Sequence, residues 1–408
     1  MPVTLDILEV GGRGDGVAER GGSRYFVPFT LPGETVEAVP RQPRGGGIAA
    51  DLVKVLAPSL NREAPPCAHY GTCGGCALQH WRREAYTAWK TGLIGEALSR
   101  RGVAAPRMEP PVVGAPAERR RADFVLRRQG RRTLAGFHER ASPRIVDVGT
   151  CVVLRPELNA LLEPLRSALL EILPDGAAAD VIVNATDSGL DVLIRPHKRF
   201  APSLDAIENL VAFAHAADLA RLSWGDRANA DPIATRRTPR LAFGDVSVGP
   251  PPGAFLQATR QAESAMRAAV AHWLSGARRV ADLFAGVGAL TLGQAFRSTL
   301  YESDAAAVAA TAKLGAVRRD LFRNPLIAVD LESFDAVVLD PPRAGAVAQV
   351  AELAKSSISR IVYASCDAGS FSRDARALQD GGYHLQNLLP IDQFLWSVHV
   401  ESIALFAR

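Results

Sequence analysis

Lysine is nearly absent from this 408-residue chain. It occurs five times, at Lys54, Lys90, Lys198, Lys313 and Lys355, so almost all of the 47 basic side chains are arginine. No apolar run approaches the roughly 18–20 residues that span a bilayer. The opening MPVTLDILEVGGRGD carries Asp6 and Glu9, where a secretion signal needs a basic flank and a long apolar stretch. Both absences point to a soluble, cytoplasmic protein. The 35 glycines follow no G-X-Y period, which excludes a collagen-like chain, and no internal repeat is visible. With 48% hydrophobic and 22% charged residues, the chain is not a mostly disordered one. At roughly 100–200 residues per domain, its length accommodates two or three domains.

Net charge is only +4, but it is unevenly placed. Residues 1–150 hold 22 basic against 15 acidic side chains, and the remainder 25 against 28. An arginine-biased genome explains this as well as contact with an anionic polymer does. Within the basic part, ERRRADFVLRRQGRR (118–132) packs seven arginines and two acids into 15 residues. Read as an alternating strand, it turns Arg119, Arg121, Arg127 and Arg131 outward, suited to phosphate contact; a charge-guarded edge strand is the other reading.

Residues 1–57 read as short strands, Leu5–Val10, Tyr25–Phe29, Glu34–Val39 and Ala50–Leu56, broken by glycine-rich turns. Such spacing suits a small β-barrel, an architecture that often binds oligonucleotides. A helix is expected from about Arg82 to Arg101, and a mixed α+β region to about residue 248 includes strands Asp180–Asn184 and Leu190–Arg195 and a helix over 156–172. Beyond GPPPG (249–253), hydrophobic strands Arg279–Phe284, Ser298–Ser303, Ala336–Asp340 and Arg360–Ser365 alternate with helical stretches. That alternation is the signature of βαβ units around a parallel sheet.

Chemistry gathers at five places. In CAHYGTCGGC, Cys67, Cys73 and Cys76 have metal-ligand spacing, with Cys151 as a distant fourth thiol. All-thiolate ligation suits zinc or a [4Fe–4S] cluster, and the lack of a second CxxC knuckle favours the cluster. In VADLFAGVGAL (280–290), a strand runs through a glycine turn toward a helix expected over 289–296. Glu302 ends the next strand about 20 residues on, where it can accept from ribose hydroxyls. Thr291 replaces the third glycine of a dinucleotide fingerprint, so S-adenosylmethionine fits better than NAD. VVLDPPRAG (337–345) ends a strand in Asp340. IVYASCDAG (361–369) and HVESIALF (399–406) put a cysteine, Cys366, and a carboxylate, Glu401, beside strands of the same sheet. These are candidate nucleophile and base.

Taken together and in this order, the cysteine run with Cys151, DLFAGVG, DPPRAG, SCD and HVES resemble the RNA 5-methyluridine methyltransferases. More narrowly, the chain is similar to their iron–sulfur class with an N-terminal TRAM domain, which methylates ribosomal RNA. The resemblance implies a TRAM-like barrel over 1–57, an iron–sulfur and central RNA-binding region over 58–248 with the helix near 82–101 packed on the catalytic domain, and a Rossmann-like methyltransferase domain over 249–408. It implies Cys366 as nucleophile and Glu401 as base, and S-adenosylmethionine contacts from Gln257, Phe284, Glu302 and Asp340. The partner implied is 23S rRNA, with tRNA and a non-catalytic RNA-binding iron–sulfur protein as alternatives; a monomer is expected. The chain departs from the family pattern at Ala289 and Thr259, where asparagine is usual. The stretch between Glu302 and Asp340 is short, and Asp320 is its candidate for the acidic contact to adenine.

Overall fold

The computed structural model describes residues 1–198 and 200–408. Five strands at the start close into a barrel in the order Val3–Val10, Asp15–Arg20, Ser23–Pro28, Gly47–Ala57, Thr35–Arg44. The second strand is the one the sequence conceals. It contains Gly16, where a Cβ would overlap the Thr30 hydroxyl, so glycine here marks close packing rather than a turn. Leu5, Ile7, Val27, Val36 and Ala38 fill the barrel.

A seven-stranded sheet follows, in which strands Arg121–Gln129, Ala178–Thr186 and Gly189–Pro196 lie side by side. Helices Leu162–Ile172 and Leu204–Ala216 cover one face through Leu165, Leu169 and Leu210. The helix expected over 156–172 is two helices, Pro156–Asn159 and Leu162–Ile172, separated at Ala160 and Leu161.

The third unit is an eight-stranded sheet. Its order is Ala316–Arg318, Arg297–Glu302, Arg279–Leu283, Ala336–Leu339, Arg360–Ser365, Glu401–Ala407, His384–Asp392, Val112–Val113. The first five run parallel, and their chain order reverses between Arg279–Leu283 and Ala336–Leu339. Such a switch point opens a crevice at the carboxyl ends of the strands. Strand Glu401–Ala407 runs antiparallel to Arg360–Ser365, with Ser402 opposite Ser365. Its first residue therefore reaches the same edge as the last residues of the parallel strands. Helix Arg83–Arg100 packs on this unit, burying Ile94 and Leu98 with Phe371 and Leu378.

One expected element is missing. The stretch 289–296 forms successive turns, not a helix. Gly293 sits at φ +66, and a Cβ there would overlap the Phe243 carbonyl oxygen. Contact with that neighbouring turn displaces helical geometry, and only glycine fits it. No helix among the described residues is long and apolar enough to cross a membrane.

Candidate active site

Four of the residues singled out from the sequence stand at one edge of the large sheet. Glu302 ends its strand, Asp340 and Cys366 directly follow theirs, and Glu401 begins its own. Cys366 leads into helix Ala368–Asp380. The Asp367 carboxylate caps that helix, accepting from the Ser370 N–H at 2.8 Å, and so satisfies one of its free amide donors. Gln257 arrives from the loop before helix Arg260–Trp273, which Thr259 caps, its hydroxyl accepting from the Ala262 N–H at 3.1 Å.

A row of hydrogen bonds joins three of these residues through a fourth, Gln393, that carries no sequence motif. Gln257 Nε2 donates to Asp340 Oδ2 at 3.0 Å. Gln393 Nε2 donates both to Gln257 Oε1 at 2.9 Å and to Glu401 Oε2 at 2.8 Å. Glu401 is 3% exposed, and its other oxygen, Oε1, is buried with no partner among the described residues. A buried carboxylate oxygen left open is costly unless a ligand completes it.

The edge is crowded with acid. Burial first, then the negative charge of Glu401 and Asp340, pushes the Cys366 thiol up to about 11, with Arg343 opposing. Both causes disfavour the thiolate. Burial, then Asp340, holds the Glu401 carboxyl well above the usual carboxylate range, against the Gln393 hydrogen bond. Asp340 is pushed up to about 6 by burial, opposed by Gln257. Asp282, nearly fully buried, is pushed up to about 7 by burial and by the neighbouring Asp340 and Glu302, while the Thr291 hydroxyl donates to it at 2.6 Å. Perturbed groups packed at a sheet edge are what an acid–base site looks like.

On the far side of the switch point, Phe284 takes φ +60, a strained conformation for an aromatic residue. Its ring lies 5.2 Å from Phe322, which is 48% exposed and was not expected at the site. Asp320 holds the turn carrying Phe322 by accepting from the Phe322 N–H at 3.0 Å. Glu302 is not an open acceptor: its Oε2 takes the Gly286 N–H at 2.9 Å, and its Oε1 takes the N–H groups of Ser303 and Asp304. It thereby fixes the glycine turn. Gly286, Val287, Glu302 and Asp304 line a cavity of about 160 Å³, with Phe255 and Arg227 on its wall. Ala289 contributes its carbonyl to Arg267 Nη1 at 2.6 Å.

Cys67, Cys73, Cys76 and Cys151 line a single cavity of about 330 Å³. Gly74 lets the cysteine loop lie against strand Arg132–His138, its N–H donating to the His138 carbonyl at 2.9 Å where a Cβ would meet that oxygen at 3.0 Å. Asn159 clamps Cys151, accepting its N–H at 2.8 Å and donating to its carbonyl at 3.0 Å. Burial raises Cys73, Cys76 (to about 12) and Cys151, and mutual repulsion of the thiolates adds to each. No three His, Cys, Asp or Glu side chains among the described residues stand together as ligands for one metal ion. The same cavity extends to Arg343, Gln393, Phe394 and His399, although neither Cys366 nor Glu401 is on its wall.

In the arginine-rich stretch, Arg119 and Arg121 lie on the less buried side, as expected, but each is stacked on an aromatic ring. Arg119 lies over the Phe394 ring at 5.9 Å and Arg121 over the Phe255 ring at 5.2 Å. Each is a cation stacked on an aromatic face. Arg131 is exposed in a hairpin turn. Alternation itself holds, with Arg120, Ala122 and Phe124 buried between the less buried Arg119, Arg121 and Asp123.

An uncharacterized RNA methyltransferase of Brucella suis biovar 1 is 40% identical to this chain, over 99% of it and 97% of the relative. A 23S rRNA (uracil(1939)-C(5))-methyltransferase of Chromohalobacter salexigens is 34% identical, over 99% of this chain and 89% of its own. The chain belongs to the RNA 5-methyluridine methyltransferase family. The family model for tRNA (uracil-5-)-methyltransferase matches residues 307–408, which include Asp340, Cys366, Gln393 and Glu401. Among solved structures, the tRNA (uracil-54, C5)-methyltransferase of Pyrococcus abyssi, in complex with S-adenosyl-L-homocysteine, shares the fold at a TM-score of 0.77 and 21% identity, covering 99% of each chain. The protein is therefore an RNA (uracil-5-)-methyltransferase, an enzyme whose substrate is RNA.

Proposed function

We propose that the enzyme methylates C5 of a uridine in 23S rRNA, with Cys366 as nucleophile, Glu401 as base and S-adenosylmethionine as methyl donor. The observation that carries this reading is the pairing, at one sheet edge, of a thiol with a buried carboxylate whose Oε1 is open. Uracil C5 is a poor nucleophile. When the Cys366 sulfur, having lost its proton, adds to C6, the ring electrons move toward C4–O and C5 becomes nucleophilic. S-adenosylmethionine, when bound, supplies an electrophilic methyl group. Glu401 Oε1 then takes the C5 proton, the C5–C6 double bond re-forms, and the C6–sulfur bond breaks to return the thiolate.

For this the thiol must first be deprotonated, and a value of about 11 leaves it mostly protonated at neutral pH. Arg343, which stabilises the thiolate, is the cation at hand. The uridine must also leave its stack to reach the sulfur. Arg119 with Phe394 and Arg121 with Phe255 provide stacking surfaces and positive charge beside the edge.

For the donor, Gln257, Asp340, Phe284 and Glu302 frame the switch-point crevice, and the Gly286–Glu302 cavity suits its sugar. Glu302→Ala is expected to weaken S-adenosylmethionine binding by about 1.5–3 kcal/mol, since it removes the carboxylate that accepts from the Gly286, Ser303 and Asp304 N–H groups and so releases the glycine turn. Calorimetry giving unchanged affinity would place the donor elsewhere.

The choice of 23S rRNA over tRNA is supported by the Chromohalobacter relative and by the four thiols. We assign Cys67, Cys73, Cys76 and Cys151 to a [4Fe–4S] cluster, which spreads its ligands more widely than a single ion and removes the repulsion among buried thiolates. Bound there, the cluster ties residue 151 to residues 67–76. Anaerobically purified protein is expected to contain iron and sulfide, and Cys73→Ser to lose both together with some stability of the central region. Metal analysis returning one zinc and no sulfide would sink the assignment.

Mapping 5-methyluridine by mass spectrometry in rRNA and tRNA from a deletion strain tests the whole reading. Loss from a single 23S site is expected. Loss confined to tRNA would overturn the choice of substrate, and no loss in either would overturn the activity.

A further inference from the structure

We infer that Gln393 is a positioning residue for the base, holding Glu401 with one N–H and the donor-side Gln257 with the other, so that the two halves of the site are set as one unit. This inference rests on the roles proposed for Glu401 and Gln257.

Three observations carry it. First, Gln393 is 3% exposed and all of its polar capacity toward the site is used. Its Nε2 donates to Gln257 Oε1 at 2.9 Å and to Glu401 Oε2 at 2.8 Å, and its Oε1 accepts the Ala258 N–H at 2.8 Å. Second, the amide has one workable orientation. Turned over, it would set its oxygen against two acceptor oxygens and its NH2 against a donor, so all three bonds would become repulsive. Third, both chain neighbours of Gln393 are held from another element, one by its side chain and one by its carbonyl. Lys90, buried on helix Arg83–Arg100, donates to Asp392 Oδ1 at 2.5 Å and to the Phe394 carbonyl at 2.9 Å. A side chain fixed at its root and at all three polar contacts leaves its two partners little freedom.

The chemical consequence concerns both location and charge. Pinning Oε2 leaves Oε1 as the oxygen free to take a proton. A donated N–H favours the carboxylate form of Glu401, opposing burial and Asp340. The other charged or titratable groups nearby are Cys366, which faces both carboxylates, Arg343, and His399, which is held low chiefly by burial and then by Arg343 and Lys90. Removing the Gln393 donor raises the pH at which Glu401 is half ionised, so the acid limb of the rate profile moves up.

The test compares wild type, Gln393→Met and Gln393→Glu as full-length enzyme on an RNA the wild type methylates, with Glu401→Gln alongside. Gln393→Met keeps the length and loses both donors. It is expected to lower kcat by roughly 10- to 100-fold, raise the KM for S-adenosylmethionine severalfold, and shift the acid limb upward by about one to two pH units. It should also accumulate a covalent protein–RNA species on denaturing gels, because addition to C6 continues while proton removal slows. A merely structural role would lower the amount of active enzyme without moving the limb or trapping the adduct, and that result overturns the inference. Gln393→Glu keeps both length and polarity and covers the case of a Met variant that does not fold. Its second carboxyl beside Glu401 should move the limb upward too, and a profile coincident with wild type overturns the inference equally. If Glu401→Gln traps the adduct while both Gln393 variants behave as wild type, this inference alone fails. If Glu401→Gln traps nothing and stays active, the role of Glu401 itself fails.

Discussion

Cys366→Ala is expected to lower uridine methylation by about 10,000-fold or more and to form no covalent complex with RNA. The remaining four cysteines line a cavity whose wall includes neither Cys366 nor Glu401, so none is placed to substitute. Glu401→Gln should behave in the opposite way. The glutamine fills the same space and can still meet Gln393, and the thiol still adds to C6. The reaction then stalls after C5 is methylated, since no base takes the proton and the C6–sulfur bond cannot break. A protein–RNA species that survives denaturing electrophoresis should therefore accumulate in Glu401→Gln and be absent from Cys366→Ala. The two variants are informative as a pair, because simple misfolding would remove activity from both and trap nothing in either. A Cys366→Ala enzyme that methylates at near the wild-type rate would end the mechanism outright.

How much of this arrangement was legible in the sequence depended on whether a residue acts through chain-local geometry. Glu302, Asp340 and Cys366 each end or follow an apolar strand, and strand ends of a parallel sheet converge on one edge whatever the details of packing. Glu401 needed one more step, since it begins a strand rather than ending one. It reaches that edge only because the last strand runs antiparallel. Gln393 carried no local signal: it lies in a loop between two antiparallel strands, and its partners are 136 and 8 residues away. The turns over 289–296 look helical in sequence for a similar reason. The contact between Gly293 and Phe243 that excludes a helix joins segments well separated in the chain. Phe322 was hidden because exposed aromatics in loops have no periodicity.

In the arginine run, alternation separates the two faces but does not name the partners of the inward residue. Alternation turns Arg119 and Arg121 to one side and Arg120 to the other, and the inward Arg120 has the heaviest structural role. It is fully buried, and its Nη2 pairs with Glu263 on helix Arg260–Trp273, itself 7% exposed. Its Nε donates to the Gln257 carbonyl at 3.0 Å, and its backbone N–H to the Ala258 carbonyl at 2.9 Å. One residue thus fastens the central sheet to the loop that carries Gln257 and receives Gln393. Arg120→Met fills similar volume but strands the Glu263 carboxylate, and breaking a buried pair from one side costs about 3–5 kcal/mol. Denaturant unfolding should show that loss, and S-adenosylmethionine affinity should fall roughly tenfold as the Gln257 backbone loses its anchor. Adding Glu263→Leu to Arg120→Met should restore most of the stability, since the stranded charge is then gone, but not the affinity, since the anchor is still missing. An Arg120→Met protein as stable as wild type would mean that the two sheets are held together elsewhere. Recovery of affinity in the double variant would mean that Arg120 acts on the site only through Glu263.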